Sequence, residues 1–284
     1  MVLFKKSAAL QKWLGKQRKK GKIIGFVPTM GALHDGHLSL IEASKKHNSI
    51  TVSSIFVNPT QFNDPADFEK YPITLEKDIQ LLEQADCDVL FLPSVSEIYP
   101  EWATANEQYD LGYLETILEG KYRPGHFQGV CKVVKRLLEK VQPGNLYLGQ
   151  KDYQQCMVIT KLTELMGWKN TMKVNICPTL REPDGLAMSS RNMRLDKEER
   201  EKAPAIYRAL TYIKSNLQKG DLQPVKVKAL QMLVDQGFKP DYIEIADAAT
   251  LQLSNEWDGR QKLVTVAAAF LNEVRLIDNL LLND

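Results

Sequence analysis

The sequence predicts an α/β protein: a mostly parallel sheet with helices on both faces, followed by a smaller C-terminal α+β domain. Two observations carry this. Through the first 177 residues short apolar runs alternate with longer helical patterns, as in strand–helix–strand units. After residue 178 two amphipathic helical patterns precede three consecutive strand-like runs, which reads as a separate unit. The expected domains are therefore 1–177 and 178–284.

Taken in order, a first helix is expected before the basic run Lys16–Lys22, itself read as a solvated turn. Strands are expected at Ile23–Val27, Ile50–Val57, Asp88–Leu92, Leu146–Gly149 and Lys173–Cys177, each apolar and short. The intervening helical patterns lie at Leu38–Lys46, Leu75–Gln84, Gly129–Val141 and Gln154–Met166. Pro178–Asn192 is polar, carries Gly and Ser, and reads as a mobile loop. Helices at Glu198–Gln218 and Pro224–Gln236 follow, then strands at Tyr242–Ala246, Leu263–Phe270 and Val274–Asp278.

Bulk properties narrow the function classes. The 284 residues carry 37 Lys and Arg against 35 Asp and Glu, a net charge of +2, so no global charge favours nucleic acid or a membrane surface. No apolar run approaches the roughly 20 residues that span a bilayer. The N-terminus lacks the basic-then-apolar order of a secretion signal. The four cysteines are scattered among apolar neighbours, which suits reduced, buried thiols. A cytoplasmic protein is expected.

The most informative stretch is Lys22–His37. A strand feeds a turn marked by Pro28 and Gly31, and His34 and His37 flank Gly36 where a helical pattern begins. A helix start after a glycine-containing turn offers backbone N–H groups and a positive dipole end to an anion. Imidazoles at i and i+3 project to one side. A metal pair and ordinary helix-start polarity are the competing readings of the two histidines. Neither a G-x-G-x-x-G fingerprint nor a P-loop is present. What remains is an element of the His-x-Gly-His type, His34-Asp35-Gly36-His37, which fits nucleotide phosphate handling.

Four further segments carry chemistry. Asn58 and Gln61 end a buried strand, and their amides suit a small polar ligand or simply an Asn-Pro turn. Arg123 and His126 precede a helix, where Arg could grip a carboxylate or make a surface ion pair. Gly149-Gln150-Lys151-Asp152 follows a strand; Lys could neutralise phosphate, and Asp could accept from ribose hydroxyls or cap the helix. In Arg181–Asn192, hydroxyls and Arg191 could meet a triphosphate, although the segment alone looks like many loops.

Jointly these segments resemble the pantoate–β-alanine ligase family over essentially the whole chain. The resemblance rests on Pro28–His37, Phe56–Phe62, Arg123–Phe127, Gly149–Gln155 and Asp184–Asn192. It implies a Rossmann-like nucleotidyltransferase domain, a C-terminal lid domain, a homodimer, and Mg-ATP as cosubstrate. It further implies that pantoate attacks the α-phosphate of ATP, and that β-alanine then displaces AMP from pantoyl adenylate. His34, His37, Lys151 and Arg191 would be catalytic. ATP would be held by Met30, Gly31, Ala32, Leu33, Asp35, Gly36, Gly149, Gln150, Asp152, Leu180, Met188, Ser189 and Ser190 as well. Gln61, Gln155, Asn58, Tyr71, Arg123 and His126 would hold pantoate and β-alanine. Asp78 is the expected magnesium ligand, although Lys77 stands where the family has a second acidic residue. An adenylyltransferase of the same superfamily would instead leave AMP on its product, and an idle nucleotide- or RNA-binding module would turn nothing over.

Overall fold

The structure, a computed structural model, describes residues 1–62, 68–100 and 107–283. The chain divides into two compact units: Met1–Gly149 with Gln155–Pro178, and Gln150–Gln154 with Thr179–Asp284. The boundary expected from the sequence falls after residue 177 and so assigns Gln150–Gln154 to the first unit. Contacts made by that short segment with the last strand, described below, group it with the second.

The first unit is built on a six-stranded parallel sheet: β1 (Val2–Phe4), β2 (Ile24–Thr29), β3 (Ile50–Ile55), β4 (Val89–Phe91), β5 (Asn145–Gly149) and β6 (Lys173–Cys177). Their order across the sheet is β1-β4-β3-β2-β5-β6. Strand side chains alternate between faces, and the two apolar cores follow that alternation. Phe26, Val89, Phe91, Leu146 and Leu148 enter one core, with Leu10 and Leu14 of the helix Ser7–Lys19. Val27, Leu90 and Tyr147 enter the other, with Leu40 and Ile41 of the helix Asp35–His47. A sheet covered on both faces explains why its strands read as continuous apolar runs.

Three sequence readings are corrected. β1 has no counterpart among the expected strands, because three residues with little burial leave no pattern. The helix Ser7–Lys19 runs into the basic segment read as a turn, and its first N–H is met by Glu97 Oε1 at 2.9 Å. That bond holds the Glu97 carboxyl below its ordinary range. The helix expected over Glu198–Gln218 is two, Lys197–Lys202 and Ala205–Ser215. Pro204 lies between them, where a missing N–H and the ring's clash with a preceding carbonyl break the ladder.

In the second unit, β8 (Phe238–Asp247), β10 (Leu263–Leu271) and β11 (Val274–Leu281) form an antiparallel sheet in the order β11-β10-β8. Ile206, Leu210 and Leu233 from its helices pack with Ile245, Leu263 and Ala267. A two-residue ribbon pairs β7 (Gly220–Asp221) with β9 (Glu256–Trp257). Among the described residues, no helix is long and apolar enough to cross a membrane.

Candidate active site

In the first unit, the chain direction across the sheet reverses between β2 and β5, so their carboxyl ends form the switch point where such sheets bind ligands. The turn after β2 is stiff. Thr29 Oγ1 donates to Ser54 O at 2.7 Å and accepts from Gly31 N–H at 3.2 Å. Gly31 (φ 84°) and Ala32 (φ 49°) are both left-handed, a conformation that strains any residue with a Cβ. Asp78, 1% exposed, holds them there: Oδ2 accepts from Ala32 N–H at 2.9 Å, and Oδ1 from Leu33 N–H at 2.8 Å. Thr74 Oγ1 donates to Oδ1 at 3.0 Å.

That arrangement gives Asp78 a second role beside the one expected of it: both carboxylate oxygens accept from backbone N–H groups inside the protein, so Asp78 holds the turn. Among the described residues, no cluster of three or more His, Cys, Asp or Glu could hold a metal ion.

His34 occupies the N-cap of Asp35–His47 in extended conformation. His37 N–H donates to His34 O at 2.8 Å, and His34 N–H to His37 Nδ1 at a long 3.4 Å. The two rings lie 4.1 Å apart between centroids, the same-side geometry expected from their spacing. A neutral His37 that accepts at Nδ1 carries its proton on Nε2, and so presents a donor. Asp35 is exposed and Gly36 half-buried in the same first turn.

Gln61 joins this turn to the rest of the first unit. Its Nε2 donates to Met30 Sδ at 2.9 Å, and its backbone carbonyl lies 2.8 Å from His126 Nδ1. Arg123 Nη1 lies 3.2 Å from His126 Nε2 and 3.6 Å from Glu119 Oε2. The backbone at Thr60–Gln61 passes so close to the helix His126–Val141 that a Cβ on Gly129 would stand 2.3 Å from Thr60 O. Tyr71 is buried edge-on against Phe62, 5.8 Å between centroids. Gln155 and Gly149 are half-buried.

Asn58 has protein partners at both ends of its amide. It is 1% exposed, with Oδ1 accepting from Tyr99 OH at 2.9 Å and Thr60 Oγ1 at 3.1 Å. Its Nδ2 donates to Gln61 Oε1 at 3.2 Å and Gly129 O at 3.3 Å. Burial pushes the Tyr99 phenol up, keeping it protonated as the donor. Asn58 therefore shapes the loop that carries Gln61.

In the second unit, Gln150–Asp152 forms a single 3-10 turn, with Lys151 Nζ 3.7 Å from Asp152 Oδ1. The segment read as a mobile loop is instead a closed hairpin. Arg181 bridges Ala187, Met188 N–H donates to Leu180 O at 3.1 Å, and Glu182 N–H donates to Leu186 O at 2.8 Å. Ser189 caps the turn Ser190–Arg194 by accepting from Arg191 N–H at 3.3 Å. Ser190 is buried, while Met188, Ser189 and Arg191 are half-buried and Leu180 is exposed.

Sequence reading missed the turn-bracing role of Thr29, although it lies within the Pro28–His37 motif, and also Thr74, which carries no motif, and the pair Asp278-Asn279. An Asp-Asn dipeptide inside an apolar strand pattern was the available signal for the latter.

The profile of the Pantoate-beta-alanine ligase family matches residues 2–281. The chain is 44% identical over 274 residues to the pantothenate synthetase of Cytophaga hutchinsonii, covering 95% of each. It is 43% identical over 291 residues to that of Porphyromonas gingivalis, covering all of both. Its fold superposes on the crystal structure of pantothenate synthetase from Thermus thermophilus with a TM-score of 0.92, at 40% identity and full coverage of both chains. A pantoate-β-alanine ligase from Francisella tularensis, solved with β-γ ATP and β-alanine, superposes with a TM-score of 0.82 at 40% identity, covering 99% of this chain and 97% of that one.

Proposed function

The chain belongs to the pantoate–β-alanine ligase family, and on that premise we propose that it condenses pantoate with β-alanine at the expense of ATP, through pantoyl adenylate. The carrying observation is the Asp78-held turn that delivers His34 and His37 to the start of a helix at the switch point of the sheet. A carboxylate is a poor acylating agent, and adenylation converts its oxygen into a good leaving group. That step needs alignment of pantoate with the α-phosphate and neutralisation of phosphate charge.

His34, His37 and the N–H groups of the helix start serve the phosphates, as do Lys151 and Arg191. Met30, Gly149, Asp152 and Leu180 serve the nucleoside. Gln61, Gln155, Tyr71, Arg123 and His126 serve pantoate and β-alanine, with Gln61 coupled to the nucleotide turn through Met30. Magnesium accompanies ATP and supplies further charge neutralisation when bound, with Asp78 its candidate ligand beside holding the turn. A homodimer working in the cytoplasm completes the proposal.

Product partition tests the activity. Pyrophosphate release is expected to require ATP and pantoate alone, and AMP release to require β-alanine as well. AMP retained on the product would make the protein an adenylyltransferase. AMP released at full rate without β-alanine would refute the ligase reading.

A further inference from the structure

Asp278 and Asn279 are adjacent on β11, and each is 2% exposed. The Asp278 carboxylate takes a two-pronged grip from Arg181: Nη1 to Oδ2 at 2.6 Å and Nη2 to Oδ1 at 3.0 Å. Arg181 opens the hairpin that carries Ser189, Ser190 and Arg191. Its Nη1 also donates to Gly185 O at 3.1 Å, its Nη2 to Asn279 O at 3.0 Å, and its guanidinium lies 4.2 Å from the centre of the Tyr207 ring.

Asn279 reaches the other segment. Its Nδ2 donates to Gln150 O at 2.9 Å and to Lys151 O at 2.8 Å, while Oδ1 accepts from Gln150 Nε2 at 3.2 Å. Both amide hydrogens are thereby used on the backbone that carries Lys151. Buried pairs of this kind cost desolvation and are weak stabilisers compared with an apolar core. What they supply is a fixed geometry.

We propose that Asp278 and Asn279 are positioning residues that lock the Lys151 turn and the start of the Arg181–Arg191 hairpin to one strand, so that the Lys151 backbone is held in a fixed place from which its ammonium group is presented. Neither residue touches a reactant in this scheme. Lys151 sits at the end of a flexible stem, and a backbone shift of about 1 Å under such a group costs about 100-fold in rate. The inference rests on the proposed role of Lys151 in adenylation.

Pantoate-dependent exchange of pyrophosphate into ATP, with kcat and KM resolved, tests it in a double-mutant cycle. Asn279→Ala is expected to lower exchange kcat roughly 10–100-fold. Consumption of chemically prepared pantoyl adenylate by β-alanine should change far less. Asn279→Ser, which keeps one donor, should fall between Asn279→Ala and the parent, and it guards against a fold too damaged to read. In a Lys151→Ala background, Asn279→Ala should cost less than about 2-fold more, because the group it acts through is gone. Losses that multiply in the double variant, or equal loss of both half-reactions, would make Asn279 merely structural and overturn the proposal. Unimpaired exchange in Asn279→Ala and Asn279→Ser would overturn it as well. If Lys151→Ala alone leaves exchange intact, the role of Lys151 fails first, and the positioning argument falls with it.

Discussion

Removing the Asp78 carboxylate tests the physical account of the nucleotide turn. In Asp78→Ala, the buried N–H groups of Ala32 and Leu33 lose their acceptors, and so does the Thr74 hydroxyl. The hydroxyl can rotate to a new partner; the two N–H groups cannot. At about 1–3 kcal/mol per orphaned donor, the cost is roughly 2–6 kcal/mol. Relaxation of the left-handed Ala32 returns about 1–2 kcal/mol. A net loss of about 2–3 kcal/mol at mid-range, within limits of about 0–5 kcal/mol, is therefore expected in urea unfolding, together with a fall in pantoate-dependent pyrophosphate exchange because His34 and His37 lose their footing. Asp78→Asn retains one acceptor but turns an NH2 toward Ala32 N–H, and should lose less of both. A metal-ligand role alone makes a different forecast. If Asp78→Ala leaves stability unchanged and recovers full exchange at raised Mg2+, the residue is a metal ligand and the turn argument is wrong.

Gln61→Ala should raise the pantoate Kd by an amount equivalent to roughly 1–3 kcal/mol, with ATP affinity changed much less; calorimetry showing equal weakening of both ligands would reduce Gln61 to a shaper of the cleft. Gly129→Ala places a Cβ 2.3 Å from Thr60 O, a backbone atom that cannot swing away, so both the unfolding midpoint and pantoate affinity should drop; retention of both would mean the loop has slack. Burial pushes the Cys87 thiol up to about 11 and Cys131 to about 12, leaving both protonated at pH 8. Alkylation of the native protein, read by mass spectrometry, should therefore mark the half-buried Cys177 first, and early labelling of Cys87 or Cys131 would contradict their packing.

Periodicity was a sound guide where burial is two-sided or cleanly amphipathic. β3, β4 and the helix Leu75–Gln84 appear where apolar spacing placed them. It failed for β1, whose three residues are too few and too exposed to make a pattern, and at Pro204, where a single residue's missing N–H outweighed a long amphipathic run. In the site, His34 and His37 could be paired from their spacing alone, because i and i+3 are neighbours on any helix.

Asp78 and Asn58 show the opposite case. A sequence shows that a carboxylate or an amide exists, but the partner that consumes it is set by chain segments far away. Asp78 meets Ala32 and Leu33, and Asn58 meets Tyr99 and Gly129. The motif residues, the strand–helix alternation and the family could be read from the sequence by itself, because each depends on local spacing or on short runs of residue types. Which polar groups face inward, and that Asn279 holds the backbone of Lys151, were decided only by tertiary structure. Hydrogen bonds between distant segments are fixed by packing and burial, and neither leaves a local trace in the order of residues.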